Sequence, residues 1–157
     1  MPTSPLPSQP SRTPSERIIF VDTSAIAAVM NETDQYHDLA VEQYKAIVAN
    51  GYSLVLTTYV IAETHALLLN TTRNTALGRR WLLEVAFEDF TVVRPGEREE
   101  EQALQLLTTH TDKLWSFVDA LSFTVMETLA IRYFFSFDED FHQRGKFIDI
   151  IQCLNEK

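Results

Sequence analysis

Cysteine is nearly absent: Cys153 is the only one in 157 residues, so the chain can form no internal disulfide. That fits a reducing compartment and an expected cytoplasmic location. No apolar run approaches the roughly 18 residues that a membrane span needs, so no membrane contact is expected. Proline is scarce beyond the start, because Pro2, Pro5, Pro7, Pro10 and Pro14 account for five of the six. The stretch holding them lacks the apolar core of a secretory signal. It also buries too little to offset the entropy of ordering. Residues 1–16 are therefore expected to form a flexible tail, and 17–157 one domain without internal repeats. Basic charge is in deficit as well, with 13 Lys and Arg against 22 Asp and Glu, a net charge of −9. Non-specific nucleic-acid binding relies on cations that neutralise phosphates, so this balance argues against it. Zinc chemistry lacks its ligand spacing: His37, His65, His110 and His142 are scattered and Cys153 stands alone.

What is present is a normal apolar content of 45%. A chain of this size buries roughly 70% of its unfolded surface, enough for a core without staples. Short continuous apolar or β-prone runs predict strands over 18–21, 52–57, 90–93 and 131–137, with a short fifth over 147–151. Helical spacing with capping residues predicts helices from Thr23 or Ser24 to Met30 and over 34–49, 58–69, 74–87, 97–109 and 116–130. Strands alternating with helices imply an α/β fold with right-handed crossovers. The expected architecture is a three-layer α/β/α sandwich around a mainly parallel central sheet of four to five strands.

Parallel sheets bind ligands beyond the carboxyl ends of their strands. The element order sends four acids to that edge. Asp22 follows strand one and Asp138 follows strand four. Glu63 lies about one turn into the helix after strand two, and Asp119 lies in the first turn of the helix feeding strand four. Each has a plain structural alternative. Asp22 can be a turn residue, and Ser116-x-x-Asp119 reads as a capping box. Glu63 can be solvated, although Val60 and Leu67 share its face. Asp138, with Glu139 and Asp140, can be an acidic turn. Asp119 and Glu127 are the sole ionisable residues from Phe117 to Ala130, and a charge in so apolar a helix needs a partner. Clustered carboxylates repel by about 4 kcal/mol at ~4 Å and a dielectric of ~20. A shared cation relieves this, and an all-oxygen set favours Mg²⁺ or Mn²⁺.

Four segments resemble the motifs of PIN domains: Phe20-Val21-Asp22-Thr23-Ser24-Ala25, Val60-Ile61-Ala62-Glu63, Ser116 through Phe123, and Ser136-Phe137-Asp138-Glu139-Asp140-Phe141 with Gly145 following. They run in family order across residues 17–151, and the likeness is to the VapC-like toxins of bacterial type II toxin–antitoxin pairs. The resemblance implies a Mg²⁺- or Mn²⁺-dependent endoribonuclease with RNA as substrate. It implies metal coordination at Asp22, Glu63, Asp119 and Asp138, a homodimer, and a small cognate antitoxin. Ser24, Ser136 and Asp140 are candidate supports, and Arg144 and Lys146 candidate phosphate contacts. The chain departs from the pattern at Val118, where many relatives carry Thr, and in the tail before Arg17. Two other functions compete: an inactive PIN-like scaffold that binds RNA or protein, and a different Mg-dependent phosphohydrolase. A haloacid-dehalogenase-type site would need an acid where Ser24 stands.

Overall fold

A computed structural model describes residues 17–156; the expected tail over 1–16 lies outside them. Five strands form one all-parallel sheet in the order β3-β2-β1-β4-β5. They are β1 (Ile18–Val21), β2 (Ser53–Thr57), β3 (Thr91–Val93), β4 (Tyr133–Phe135) and β5 (Ile148–Asp149). The central strands are buried on both faces, as their unbroken apolar runs require: Ile19, Phe20, Leu56, Phe134 and Phe135 have essentially no exposed surface.

The connecting helices are α1 (Thr23–Met30), α2 (His37–Ala49), α3 (Thr58–Thr72), α4 (Thr75–Arg80), α5 (Glu97–Thr109), α6 (Phe117–Thr128), α7 (Glu139–Arg144) and α8 (Ile150–Asn155). Right-handed crossovers carry α1–α4 over one face as the chain runs β1, β2, β3. The return past β1 to β4 and β5 carries α5–α7 over the other face. The run therefore reverses direction at β1, and the crevice beside β1 and β4 is the topological switch point where such sheets bind ligands.

Most boundaries shift by one to three residues from the sequence expectation, and three of the differences have a clear local cause. The run 131–137 yields only three residues of strand. Asp138 ends it by accepting a hydrogen bond from Asp140 N at 3.0 Å, which caps α7. The run 147–151 likewise yields two residues before Asp149 accepts from Ile151 N at 3.0 Å and starts α8. In both places a local side-chain cap outcompetes the ladder. The helix expected over 74–87 is α4 followed by a π-turn over Trp81–Val85. There Ala86 N donates to the Trp81 carbonyl at 2.8 Å. The fully buried Trp81 indole donates to the Ile61 carbonyl at 2.9 Å, pinning the turn to α3. Gly145 closes α7 at φ 71°, a left-handed conformation that glycine adopts without strain.

Candidate active site

The end of β1 carries Asp22 into the switch-point crevice. Its backbone N–H still donates to the Phe135 carbonyl at 3.1 Å, so the β1–β4 pairing fixes its position. Its extended backbone makes it the N-cap of α1, a role expected of Thr23 or Ser24. One carboxylate oxygen, Oδ2, accepts from Ser24 Oγ at 2.9 Å and from Ser136 Oγ at 3.0 Å, with Ser24 N longer at 3.4 Å. Each hydroxyl also accepts a backbone N–H from the loop after β4: Phe137 N to Ser24 at 3.0 Å, and Asp138 N to Ser136 at 2.9 Å. Each hydroxyl is thus placed to donate to Asp22, and the two Oγ atoms sit 3.1 Å apart. The clasp leaves Asp22 Oδ1 without a hydrogen bond among the described residues.

The other acids are held in the same half-committed way. Asp119 Oδ2 accepts from Ser116 N at 2.8 Å, and Asp119 N donates to Ser116 Oγ at 3.1 Å, so the expected capping box is real. Asp138 spends Oδ1 on its cap of α7. Glu63 reaches in, half-buried, from the second turn of α3. Asp22, Glu63, Asp119 and Asp138 line one cavity of 240 Å³ together with Thr23, Ser24 and Leu67. Capping and pocket-lining are not rival roles here, because each capping carboxylate has a second oxygen.

The cavity is hostile to bare negative charge. Burial pushes the Asp22 carboxyl up to about 7; Asp119 adds to this, and the serine hydroxyls offset part of it. Burial also raises Glu63, reinforced by Asp119 and Asp138. Asp119 is raised by burial, against its bonds to Ser116, and further by Asp138 and Asp140. Asp140 is raised by burial and by Asp138, but it does not line the cavity. Thr23 Oγ1 is buried with no hydrogen bond, facing Glu63 closely enough to ease its charge. Among the described residues no three His, Cys, Asp or Glu side chains are drawn together tightly enough to cage an ion as they stand. The acids instead face a common space, each with an uncommitted oxygen. Hard oxygen donors, mutual repulsion and an orphaned hydroxyl fit a Mg²⁺ or Mn²⁺ ion with several waters retained.

Arg144 and Lys146 are not brought to this cavity. Arg144 Nη2 pairs with Glu127 Oε1 at 2.7 Å and its guanidinium lies over the Trp115 ring, 5.8 Å from the centroid. Lys146 meets the same Glu127 oxygen at 3.3 Å. The serine clasp is what the sequence reading understated. Its signal is a reciprocal pattern, Asp22-x-Ser24 on one strand end and Ser136-x-Asp138 on its neighbour.

The PIN domain family model matches residues 19–146. This chain belongs to the PIN domain family. Two curated relatives within reach of it are the 23S rRNA-specific endonuclease VapC20 of Mycobacterium tuberculosis, strains H37Rv and CDC 1551. Each is 37% identical over 138 residues, covering 85% of this chain and 98% of the relative. The crystal structure of M. tuberculosis VapC20, described as a sarcin–ricin loop cleaving toxin, superposes with a TM-score of 0.75. It is 30% identical there and covers 83% of this chain and 97% of that one. A Pyrobaculum aerophilum protein shares the PIN fold at a TM-score of 0.63 and 18% identity, with coverage of 90% and 96%. No helix among the described residues is long and apolar enough to cross a membrane.

Proposed function

We propose that this PIN domain is a VapC-like endoribonuclease toxin that hydrolyses an RNA phosphodiester bond at the Asp22–Glu63–Asp119–Asp138 cavity with Mg²⁺ or Mn²⁺. The observation that carries it is four carboxylates from four separate elements lining one small cavity at the switch point. The likeness to VapC20 supports ribosomal RNA as the substrate class. A homodimer and a cognate antitoxin that covers the site belong to this reading as what the family resemblance implies.

The bound ion would supply hydroxide near neutral pH and offset charge developing on the phosphate. The chain's own part is to hold that chemistry in place. Asp22 and Asp119 are the anchors, since both are buried and each keeps one oxygen fixed by hydrogen bonds. The Ser24 and Ser136 hydroxyls hold Asp22 as the acceptor, so its free oxygen faces the cavity. Glu63 and Asp138, more open to water, are placed to orient the attacking water. Leu67 closes one wall.

The test uses a synthetic RNA stem-loop with the sarcin–ricin sequence of 23S rRNA. Asp22→Asn should cut it at least about 100-fold more slowly, the scale of losing one charge-stabilising group, with the fold kept. EDTA should stop the wild-type enzyme and Mn²⁺ restore it. Full activity in EDTA, or in Asp22→Asn, would defeat the proposal. An inactive scaffold would show neither cleavage nor Mn²⁺ binding that depends on the four acids.

A further inference from the structure

We propose that Tyr36 is a stacking platform for one base of the RNA, adjoining the phosphate that is cut. This rests on the ribonuclease reading above and gives it a substrate-positioning residue. A second, open cavity of 410 Å³ lies beside the carboxylate one and shares Ser24, Leu67 and Asp138 with it. One wall is aromatic. The rings of Tyr36 and Phe137 stack in parallel with an offset, with centroids 4.9 Å apart and planes 2° from parallel. Phe137 in turn meets the fully buried Phe135 edge-on at 5.7 Å. Tyr36 is thus the outermost ring of a stack rooted in β4, and it is 44% exposed.

The ring is held in place before anything binds. Tyr36 N donates to Asp34 Oδ1 at 2.8 Å, and the preceding Thr33 N donates to Asn31 Oδ1 at 3.1 Å. The next residue, His37, reaches back from Nδ1 to the Ala28 carbonyl at 2.8 Å. Phe137 then fixes the plane. A rigid aromatic face offers contact area at little entropic cost.

Charge decides what part of a nucleotide enters. Asp34, Asp138 and Glu139 line this cavity, and they repel a second phosphate. A neutral base is not repelled, and any base can stack because every base has a π-face. With a phosphate at the carboxylates, the neighbouring nucleoside has the shared Ser24–Asp138 wall to cross and the Tyr36 ring to rest on.

The experiment compares wild type, Tyr36→Ala, Tyr36→Phe and Tyr36→Leu on the sarcin–ricin stem-loop, both intact and with single abasic sugars scanned through the loop. Cleavage is read as kcat and KM, and binding is read separately by fluorescence anisotropy in Ca²⁺. Stacking at one base predicts that Tyr36→Ala raises KM about 5- to 150-fold with kcat nearly kept. Tyr36→Phe should stay near wild type and Tyr36→Leu should resemble Tyr36→Ala. One abasic position next to the cut should weaken wild type by the same factor and leave Tyr36→Ala unaffected. Leucine restoring full affinity, or no abasic position being masked by Tyr36→Ala, would overturn the stacking role; so would alanine without effect, as expected if the cavity serves a protein segment instead. Binding of the intact loop that Tyr36→Ala weakens, without any cleavage, would instead sink the hydrolase reading and keep Tyr36 only as a base contact.

Discussion

At the scale of single residues, the site trades stability for a poised charge, and Asp22 is where this is measurable. Its carboxyl titrates near 3.8 in the unfolded chain and at about 7 in the fold. The folded state therefore keeps a proton that the unfolded state gives up, and the metal-free protein loses stability as pH rises from about 4 to 7. Three pH units of difference correspond to about 4 kcal/mol at most. Asp22→Asn removes the titration and can still accept the serine hydroxyls through its amide oxygen. Metal-free Asp22→Asn should thus melt well above metal-free wild type at pH 8 and much closer to it at pH 4.5. An equal gap at both pH values would mean that Asp22 is not the buried titrating group. The serines act in the opposite sense. Their hydrogen bonds favour the ionised form, so Ser136→Ala should move the acid limb of the pH–rate profile to higher pH. Losing that support should also lower metal affinity by roughly 10- to 100-fold, read by Mn²⁺ titration.

At the scale of elements, the sequence made the strand–helix order legible because each strand is a short unbroken apolar run, and that order alone was enough to bring four acids to one edge. It was less informative where two local signals compete. Phe137 looks like strand by its neighbours, yet Ser136 and Asp138 on either side turn their polar groups to the backbone and end the ladder. Arg144 shows a different limit. A basic residue six positions after an acidic motif reads as a phosphate contact, and nothing local reveals that Glu127 and Trp115, distant in sequence, claim it first. It joins the last residue of α7 to the last turn of α6, with only 8% of its side chain exposed. Arg144→Ala should therefore act on stability, costing about 1–3 kcal/mol. That is a drop of roughly 2–4 °C in Tm per kcal/mol for a chain of this size. KM for RNA should hold. A raised KM with unchanged Tm would return Arg144 to the substrate.

At the scale of the whole molecule, the difficulty is that a protein with a net charge of −9 must approach a polyanion. The four cavity acids worsen this locally, since burial and mutual repulsion raise three of them, Asp22, Glu63 and Asp119. A divalent cation bound there would act on both problems at once: it would relieve the repulsion inside the fold and turn the cavity from anion-repelling to phosphate-accepting. Binding that favours the folded state stabilises by mass action, about 2.7 kcal/mol at a concentration 100 times Kd. For a domain of this size that is roughly 5–10 °C in Tm. Mn²⁺ should raise Tm by that amount at pH 8, less at pH 5 where protons compete for Asp22, and hardly at all in Asp22→Asn. Protons should be released as the ion binds, because the carboxyls must ionise to hold it. A Tm indifferent to Mn²⁺ at pH 8 would mean that no ion binds the ionised acids, and none would be there to bring the RNA in.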